Sequence, residues 1–463
     1  MKTEIGVIGL GVMGKSLSRN LARNGFKISI YNRHVDGKDE NIAVDFKREY
    51  PELDQALPFN DLKAFVQSME TPRKIILMVN AGPSVDAVLG NLSDLLETGD
   101  IVIDGGNSHF EDTNHRIDSM KEKGLVFIGA GISGGEEGAL KGPSIMPSGD
   151  KKAYLKVQKY LESIAAKDGD GNPCCSYVGS QGSGHFVKMI HNGIEYVEMQ
   201  LLAECYSILK SQRMSNAEMA AVFESWMSDL GSYLLGITVE ILRKEEGDEY
   251  LLDQILDKAG NKGTGKWVAN LIVDSGEPAT MIPTALFSRY LSFFKEKRED
   301  AARVFSTLGG CDDISILQLK EAYHFSRIIN HHQGFSMIAR VSNQNNWNVD
   351  LSEIARIWTE GCIIKSNFMK ELVDYLKSDS SILFNDKLSQ IIKKTYSSIQ
   401  SVATVCIRKE IHIPCLLEAV NFFHGIKTAN SPANLIQAQR DYFGAHNYQR
   451  KDDTSGNSYH TEW

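Results

Sequence analysis

The sequence predicts an α/β protein: an N-terminal Rossmann-like doubly wound sheet, a large all-α C-terminal domain, and an extended C-terminal tail. Three observations predict it. Short apolar runs alternate with amphipathic stretches up to about Gly179. The first run opens into Gly9-Leu10-Gly11-Val12-Met13-Gly14. From Gly184 onward, long stretches carry the 3.6-residue period and convincing strands are scarce. The expected units are 1–179, 180–430 and 431–463.

Strands are expected at Glu4–Gly9, Lys27–Tyr31, Lys74–Val79, Ile101–Asp104 and Leu125–Gly129, with helices between them at Lys15–Asn24 and Ser84–Leu96 among others. Their near-continuous apolar character suits a parallel sheet covered on both faces. A G-x-G-x-x-G after a strand and before a helix is a dinucleotide fingerprint. Gly9 makes the tight turn, Gly11 lets backbone approach a pyrophosphate, and Gly14 permits close helix–strand packing. The second strand ends in Tyr31-Asn32-Arg33-His34 rather than in a carboxylate. Asp or Glu there would bond a ribose 2′-hydroxyl, whereas a guanidinium can fork onto a 2′-phosphate, so NADP is the expected cofactor.

Two glycine loops follow strand ends: Asp104-Gly105-Gly106-Asn107-Ser108 and Ser133-Gly134-Gly135-Glu136-Glu137-Gly138. At the carboxyl ends of parallel strands such loops can turn N–H groups toward a carboxylate, with Asn107 and Ser133 as neutral donors. Taken alone, they are also ordinary turns.

In the helical half the periodic stretches are Phe186–Leu209, one near Asp257, Lys320–Ser342, Leu351–Lys365 and Asp386–Lys409. The first carries Lys188, His191, Asn192, Glu195 and Tyr196 at i, i+3, i+4, i+7 and i+8, on one face, flanked by apolar residues. Five different functional groups on an otherwise apolar helix fit a cleft-facing row better than a solvated surface. An internally salt-bridged helix is the competing explanation. Asn261-Lys262-Gly263-Thr264-Gly265-Lys266-Trp267 would present an ammonium and a hydroxyl to one phosphate, or serve as a plain connecting turn. His331-His332 point to different faces of a helix, and neither H-E-x-x-H nor a carboxylate cluster with ligand spacing occurs, so no metal site is expected. The tail spreads Tyr442, Phe443, Tyr448, Tyr459 and Trp463 among charges after Pro432 and could not bury them alone.

Composition sets the outer bounds. The 463 residues carry 42% hydrophobic and 24% charged side chains and a net charge of −9, which disfavours disorder and nucleic-acid binding. Seven cysteines, two of them the adjacent Cys174 and Cys175, suit reduced buried thiols. The glycine-rich opening is no signal peptide and no long apolar run occurs, so a cytoplasmic protein without a membrane partner is expected.

In this order and spacing, G-L-G-V-M-G, N-R, D-G-G-N, S-G-G-E-E-G-A-x-x-G-P-S-x-M-P, G-H-x-V-K-M-x-H-N-G-I-E-Y, N-K-G-T-G-K-W and the ending P-A-N-L-I-Q-A-Q-R-D-Y-F-G-A-H resemble the decarboxylating 6-phosphogluconate dehydrogenases, over essentially the whole chain. The resemblance implies metal-independent conversion of 6-phosphogluconate and NADP to ribulose 5-phosphate, carbon dioxide and NADPH. It implies Lys188 as general base and Glu195 as general acid. His191 and Asn192 would hold substrate hydroxyls, and Asn107, Ser133, Gly134 and Gly135 the carboxylate end. Tyr196, Lys262, Thr264, Arg289, Arg440 and His446 would hold the phosphate, the last two from the tail of the other subunit in a homodimer. Val79, Asn80, Ala81 and Asn107 would join Gly9, Leu10, Gly11, Val12, Met13, Gly14, Asn32, Arg33 and His34 on the cofactor; many members carry Lys where Asn80 stands. A 3-hydroxyisobutyrate-type dehydrogenase and a dinucleotide-binding protein without turnover are the alternatives.

Overall fold

The computed structural model describes residues 2–33, 37, 40–260, 263–305, 313–378 and 381–463. Seven strands form one sheet: β1 Ile5–Ile8, β2 Ile28–Tyr31, β3 Leu57–Phe59, β4 Lys74–Leu77, β5 Ile101–Asp104, β6 Val126–Ser133 and β7 Ser144–Gly149, in spatial order β3-β2-β1-β4-β5-β6-β7. The first six run parallel and β7 pairs antiparallel with β6. Strand side chains divide between two cores. Val7, Ile76, Ile101 and Ile103 pack with Leu17, Leu21 and Leu161 on one face, and Ile8, Ile75, Leu77 and Val102 with Phe65, Leu89 and Met120 on the other. The sheet is thus covered on both sides, as the apolar runs predict.

The chain winds outward from β1 in one direction and from β4 in the other, so a crevice opens where these two strands end. Gly14 shows what the fingerprint spacing is for: a Cβ there would sit 1.9 Å from the Gly9 carbonyl oxygen, so only glycine lets the helix Val12–Arg23 start against the strand.

Two strands escape the sequence pattern. Leu57-Pro58-Phe59 is three residues long and holds a proline, tolerated at the sheet edge. Ser144–Gly149 also contains a proline, Pro147, and lies at the other edge. The fifth expected strand begins at Val126 and runs on to Ser133, so Ser133 is the last strand residue rather than part of a free loop.

Beyond residue 180 one large core joins the helices. Ser183–Ser211, the Lys188 helix, lies along Ile316–Asn345, the Tyr323 helix, with Asp386–Arg408 and Pro414–Ile426 packed alongside. Pro414 fits the first turn of its helix. The Cys415 and Leu416 N–H groups at that helix start donate to the buried Glu204 carboxylate, each at 2.9 Å. None of the helices among the described residues is long and apolar enough to cross a membrane.

Three expectations are corrected here. The helix expected over Leu351–Lys365 stops at Ile357, because Gly361 turns left-handed (φ 71°) and its carbonyl accepts the Ser144 N–H at 2.9 Å. The helical half includes a hairpin, Glu245–Glu246 with Glu249–Tyr250, turning at Gly247. The tail is folded rather than extended: Ala433–Gly444 is a helix, and the buried Asp441 carboxylate accepts from Asn447 N, His460 Nδ1, Thr461 N and Trp463 Nε1 at 2.9–3.0 Å, drawing the last residues back over it. Those hydrogen bonds, led by His460 and working against desolvation, hold the Asp441 carboxyl down at about 2.

Candidate active site

The Lys188 helix packs closely on the sheet at glycine positions. A Cβ on Gly131 of β6 would lie 2.4 Å from Lys188 Cβ, and one on Gly184 would lie 2.0 Å from the Met146 carbonyl oxygen. These two glycines set the polar row directly against the end of β6. His191 Nε2 lies 3.0 Å from Ser133 Oγ, and His191 Nδ1 is 3.3 Å from Lys188 Nζ, 3.3 Å from Asn192 Oδ1 and 3.8 Å from Glu195 Oε2. Trp358 closes the back, its ring edge-on to His191 with centroids 5.4 Å apart. The expected face therefore exists, and Ser133 joins it.

Burial decides the electrostatics. Lys188 is 6% exposed, and desolvation of its ammonium lowers its pKa to about 8 against the raising effect of the Glu195 carboxylate. His191 is fully buried; desolvation and then the Lys188 charge hold it well below its ordinary value, so it is neutral. Glu195 keeps a fifth of its side chain in solvent. An amine that gains and loses a proton near neutrality, next to a carboxylate that reaches water, can serve as base and acid in one site. The Cys362 thiol, pushed up to about 12 mainly by burial, stays protonated nearby and donates to the Trp358 carbonyl at 3.2 Å.

One turn further along, Tyr196 meets two other elements. The Arg289 guanidinium stacks 3.7 Å over its ring, and Gly265 abuts it so closely that a Cβ would lie 2.8 Å from the ring edge. Thr264, buried, opens the helix Thr264–Ser275 after left-handed Gly263. Tyr196, Thr264 and Arg289 thus gather at one end of the row. Lys262 lies outside the described residues.

On the sheet side, a cleft of about 570 Å³ is lined by Gly9, Leu10 and Gly11 after β1, Asn32 and Arg33 after β2, and Val79 and Asn80 after β4. Nothing lies within 4 Å of a Cβ placed on Gly11, so this backbone is open to a ligand and fits a pyrophosphate. Val12 is exposed at the same helix start, while Met13 packs toward the sheet core. The Asn32 carboxamide oxygen accepts the Leu10 N–H at 3.1 Å and so holds the loop in shape. Arg33 is exposed at the rim; His34 lies outside the described residues. Ala81, half-buried, follows Asn80 into the left-handed Gly82. Asn107 is exposed in the turn after β5.

Residues 4–179 match the model for the NAD binding domain of 6-phosphogluconate dehydrogenase, and 184–463 match that for the 6-phosphogluconate dehydrogenase C-terminal domain. The chain belongs to the 6-phosphogluconate dehydrogenase family. It is 43% identical over 472 residues to the decarboxylating 6-phosphogluconate dehydrogenase of Escherichia coli K12, covering 100% of this chain and 99% of the relative. It is 44% identical over 481 residues to the NAD(+)-dependent decarboxylating enzyme of Bacillus subtilis 168, covering 100% of both. The solved Plasmodium falciparum 6-phosphogluconate dehydrogenase, studied apo, with NADP+ and with 6-phosphogluconate, superposes with a TM-score of 0.93 at 37% identity, over 99% of this chain and 100% of that one.

The contacts run along one helix: Ser133 at the end of β6 meets His191 in the row, and Arg289 stacks on Tyr196 at the far end of the row. Arg440 and His446 stand apart: both are exposed on the tail, Arg440 donating to Gln437 at 3.0 Å and His446 facing the Phe443 ring. His331 and His332 are buried and held down to about 4 by desolvation, structural rather than solvated. Sequence reasoning placed Asp104 in a strand-end loop without a role and passed over Arg116 and His185; together they link the loops behind the row. The signal available in the sequence was a carboxylate closing an otherwise apolar strand, Ile101-Val102-Ile103-Asp104.

Proposed function

We propose that this chain oxidises and decarboxylates 6-phosphogluconate to ribulose 5-phosphate and carbon dioxide, reducing NADP to NADPH. The observation that carries the reading is Lys188, buried with its pKa near 8, in contact with His191 and beside Glu195 on one helix. In its neutral form Lys188 takes the proton of the substrate 3-hydroxyl as carbon 3 gives up its hydride, which NADP would accept when bound. The resulting ketone is polarised by the Lys188 ammonium, which supports loss of the carboxylate without a metal ion. Glu195 then protonates carbon 1 of the enediol. His191 and Asn192 orient the hydroxyls; Asn107, Ser133, Gly134 and Gly135 hold the carboxylate end; Tyr196, Thr264, Arg289 and Lys262 hold the phosphate. Gly9 to Gly14 and Asn32 would carry the cofactor, and Arg33 favours its 2′-phosphate.

The deciding experiment records initial rates with 6-phosphogluconate, using NADP and NAD side by side and trapping carbon dioxide. One carbon dioxide per NADPH is expected, with NADP preferred. Hydride transfer without carbon dioxide would overturn the reaction, and equal rates with unphosphorylated gluconate would remove the phosphate site. Equal use of NAD would remove the role given to Arg33.

The tail supports a homodimer in which residues 431–463 complete the partner's site with Arg440 and His446. Leu435, Ile436, Tyr442, Phe443 and Trp463 leave more than half their surface exposed, an apolar strip suited to burial elsewhere. Truncation before Pro432 should raise the KM for 6-phosphogluconate about tenfold or more, as expected for lost charged contacts, and weaken the dimer in sedimentation. Unchanged kinetics would refute the exchange. A cytoplasmic setting suits the six described cysteines, all buried and free.

A further inference from the structure

Three segments of the proposed site meet at one buried cluster. Asp104 ends β5 and is fully buried; its Oδ1 accepts the Gly106 N–H at 3.0 Å and its Oδ2 accepts the Ser108 hydroxyl at 2.6 Å. These bonds fold the turn that projects Asn107. Arg116, 5% exposed, reaches in from the helix Phe110–Glu122. Its Nη1 lies 3.5 Å from Ser108 Oγ and 3.7 Å from Asp104 Oδ2. The other edge of the same guanidinium forks onto Asp86, Nε to Oδ1 at 2.7 Å and Nη2 to Oδ2 at 3.2 Å, and Nη2 also donates to the Gly82 carbonyl at 3.1 Å. Gly82 and Asp86 sit where the Val79-Asn80-Ala81 loop enters its helix.

The cluster also touches the Lys188 helix. His185, one turn before Lys188, places Nε2 3.1 Å from the Asp104 carbonyl oxygen and Nδ1 2.7 Å from Thr113 Oγ1. A carbonyl can only accept, so Nε2 carries the proton and the Thr113 hydroxyl donates to Nδ1. Asp104 already has two donors without Arg116, and a buried guanidinium costs several kcal/mol of desolvation before its pairs offset it. Removing it alone would leave the buried Asp104 charge without its cation, so Arg116 also contributes to stability. Beyond that, its bridging of Asp104 and Ser108 to Asp86 and Gly82 fixes the spacing between two loops.

We propose that Arg116 is a positioning residue. It sets the distance between the cofactor-side loop at 79–82 and the substrate-side loop at 104–108, and through Asp104 and His185 registers both on Lys188. It is not among the residues lining the cofactor cleft. Its effect runs through geometry: hydride transfer needs the reacting atoms in near-attack contact, and misplacement by about 1 Å can cost ~100-fold. Lysine keeps the charge but lacks the fork needed to span both loops.

The inference rests on the reaction proposed above. The test measures Arg116→Met, Arg116→Lys and Asp86→Asn for kcat, both KM values, melting temperature, and the deuterium isotope effect with 3-deuterated 6-phosphogluconate, at a temperature where each variant is folded. Arg116→Met should lose about 10- to 100-fold in kcat with a larger isotope effect, because hydride transfer becomes limiting. Arg116→Lys should recover melting temperature more than rate. Asp86, with a side chain 59% exposed, can be changed with little risk to folding, and Asp86→Asn should raise the cofactor KM and the isotope effect. A lowered melting temperature with kcat and isotope effect unchanged in folded Arg116→Met would overturn the inference; if that variant fails to fold, an unchanged Asp86→Asn does so. A wild-type chain inactive on 6-phosphogluconate defeats the reaction itself, whereas normal wild-type turnover with indifferent variants defeats only the positioning role.

Discussion

The Lys188 helix and the Tyr323 helix, 29 and 30 residues long, lie side by side, both largely buried, and both carry polar rows. The row on the Tyr323 helix closes on Glu198 of the Lys188 helix. The Tyr323 hydroxyl donates to Glu198 Oε2 at 3.0 Å, Asn330 Nδ2 to Glu198 Oε1 at 3.2 Å, and Arg327 Nε lies 3.4 Å from Oε2, its Nη1 donating to the Leu230 carbonyl. On the Lys188 helix the row meets itself and Ser133, and Glu195 still reaches solvent. Glu195 and Glu198 stand three residues apart on one helix, one in a cleft and one acting as a strut. What separates them is the facing element: a strand end that leaves an open side, or a helix that supplies matching donors.

The sharpest break of this comparison exchanges the consequences. Lys188→Met should lower kcat about 10³- to 10⁴-fold, the range for removing a general base, without lowering the melting temperature, since a desolvated amine is lost. Arg327→Met should do the reverse: about 3–5 kcal/mol less stability from a broken buried pair, with near-normal kcat in the folded fraction. Steady-state kinetics with denaturant titration measures both. An unfolded Lys188→Met, or a stable but inactive Arg327→Met, would erase the distinction.

A smaller effect is expected from pH. Lys188 must be neutral to act, so kcat/KM should fall about tenfold per unit as pH drops below about 8. The folded value lies below the ordinary 10.5, so between about 8 and 10.5 the unfolded chain binds more protons and stability rises with pH in that window. Lys188→Met should lack that rise in urea titrations. Smaller again is Arg33→Glu: NADP affinity should fall roughly tenfold or more, one charge-assisted contact, while NAD affinity changes little. Equal losses in fluorescence titrations would show that Arg33 does not read the 2′-phosphate.

The parts of the molecule governed by local periodicity were readable in advance. The parallel strands, the Gly9–Gly14 turn and the Lys188 row needed no tertiary knowledge. β3 and β7 were not readable, because each is an edge strand holding a proline, and pairing with a neighbour rather than propensity makes them strands. The break after Ile357 depends on Gly361 bonding to Ser144, more than two hundred residues earlier, which no local pattern encodes. Arg116 looks like any cation on an amphipathic helix; its role emerges once Asp86, Asp104 and Ser108 are seen around it. Glu198 and Glu195 are indistinguishable by spacing for the same reason.

Asp441 has a last consequence. By gathering four donors it gives the C-terminal segment a defined shape within its own chain. In the proposed exchange, the receiving surface would capture a preshaped insert and forgo most of the entropy penalty of immobilising a loose peptide. Engagement should then be lock-and-key in character, quick to form and insensitive to denaturant concentrations too low to melt the insert itself.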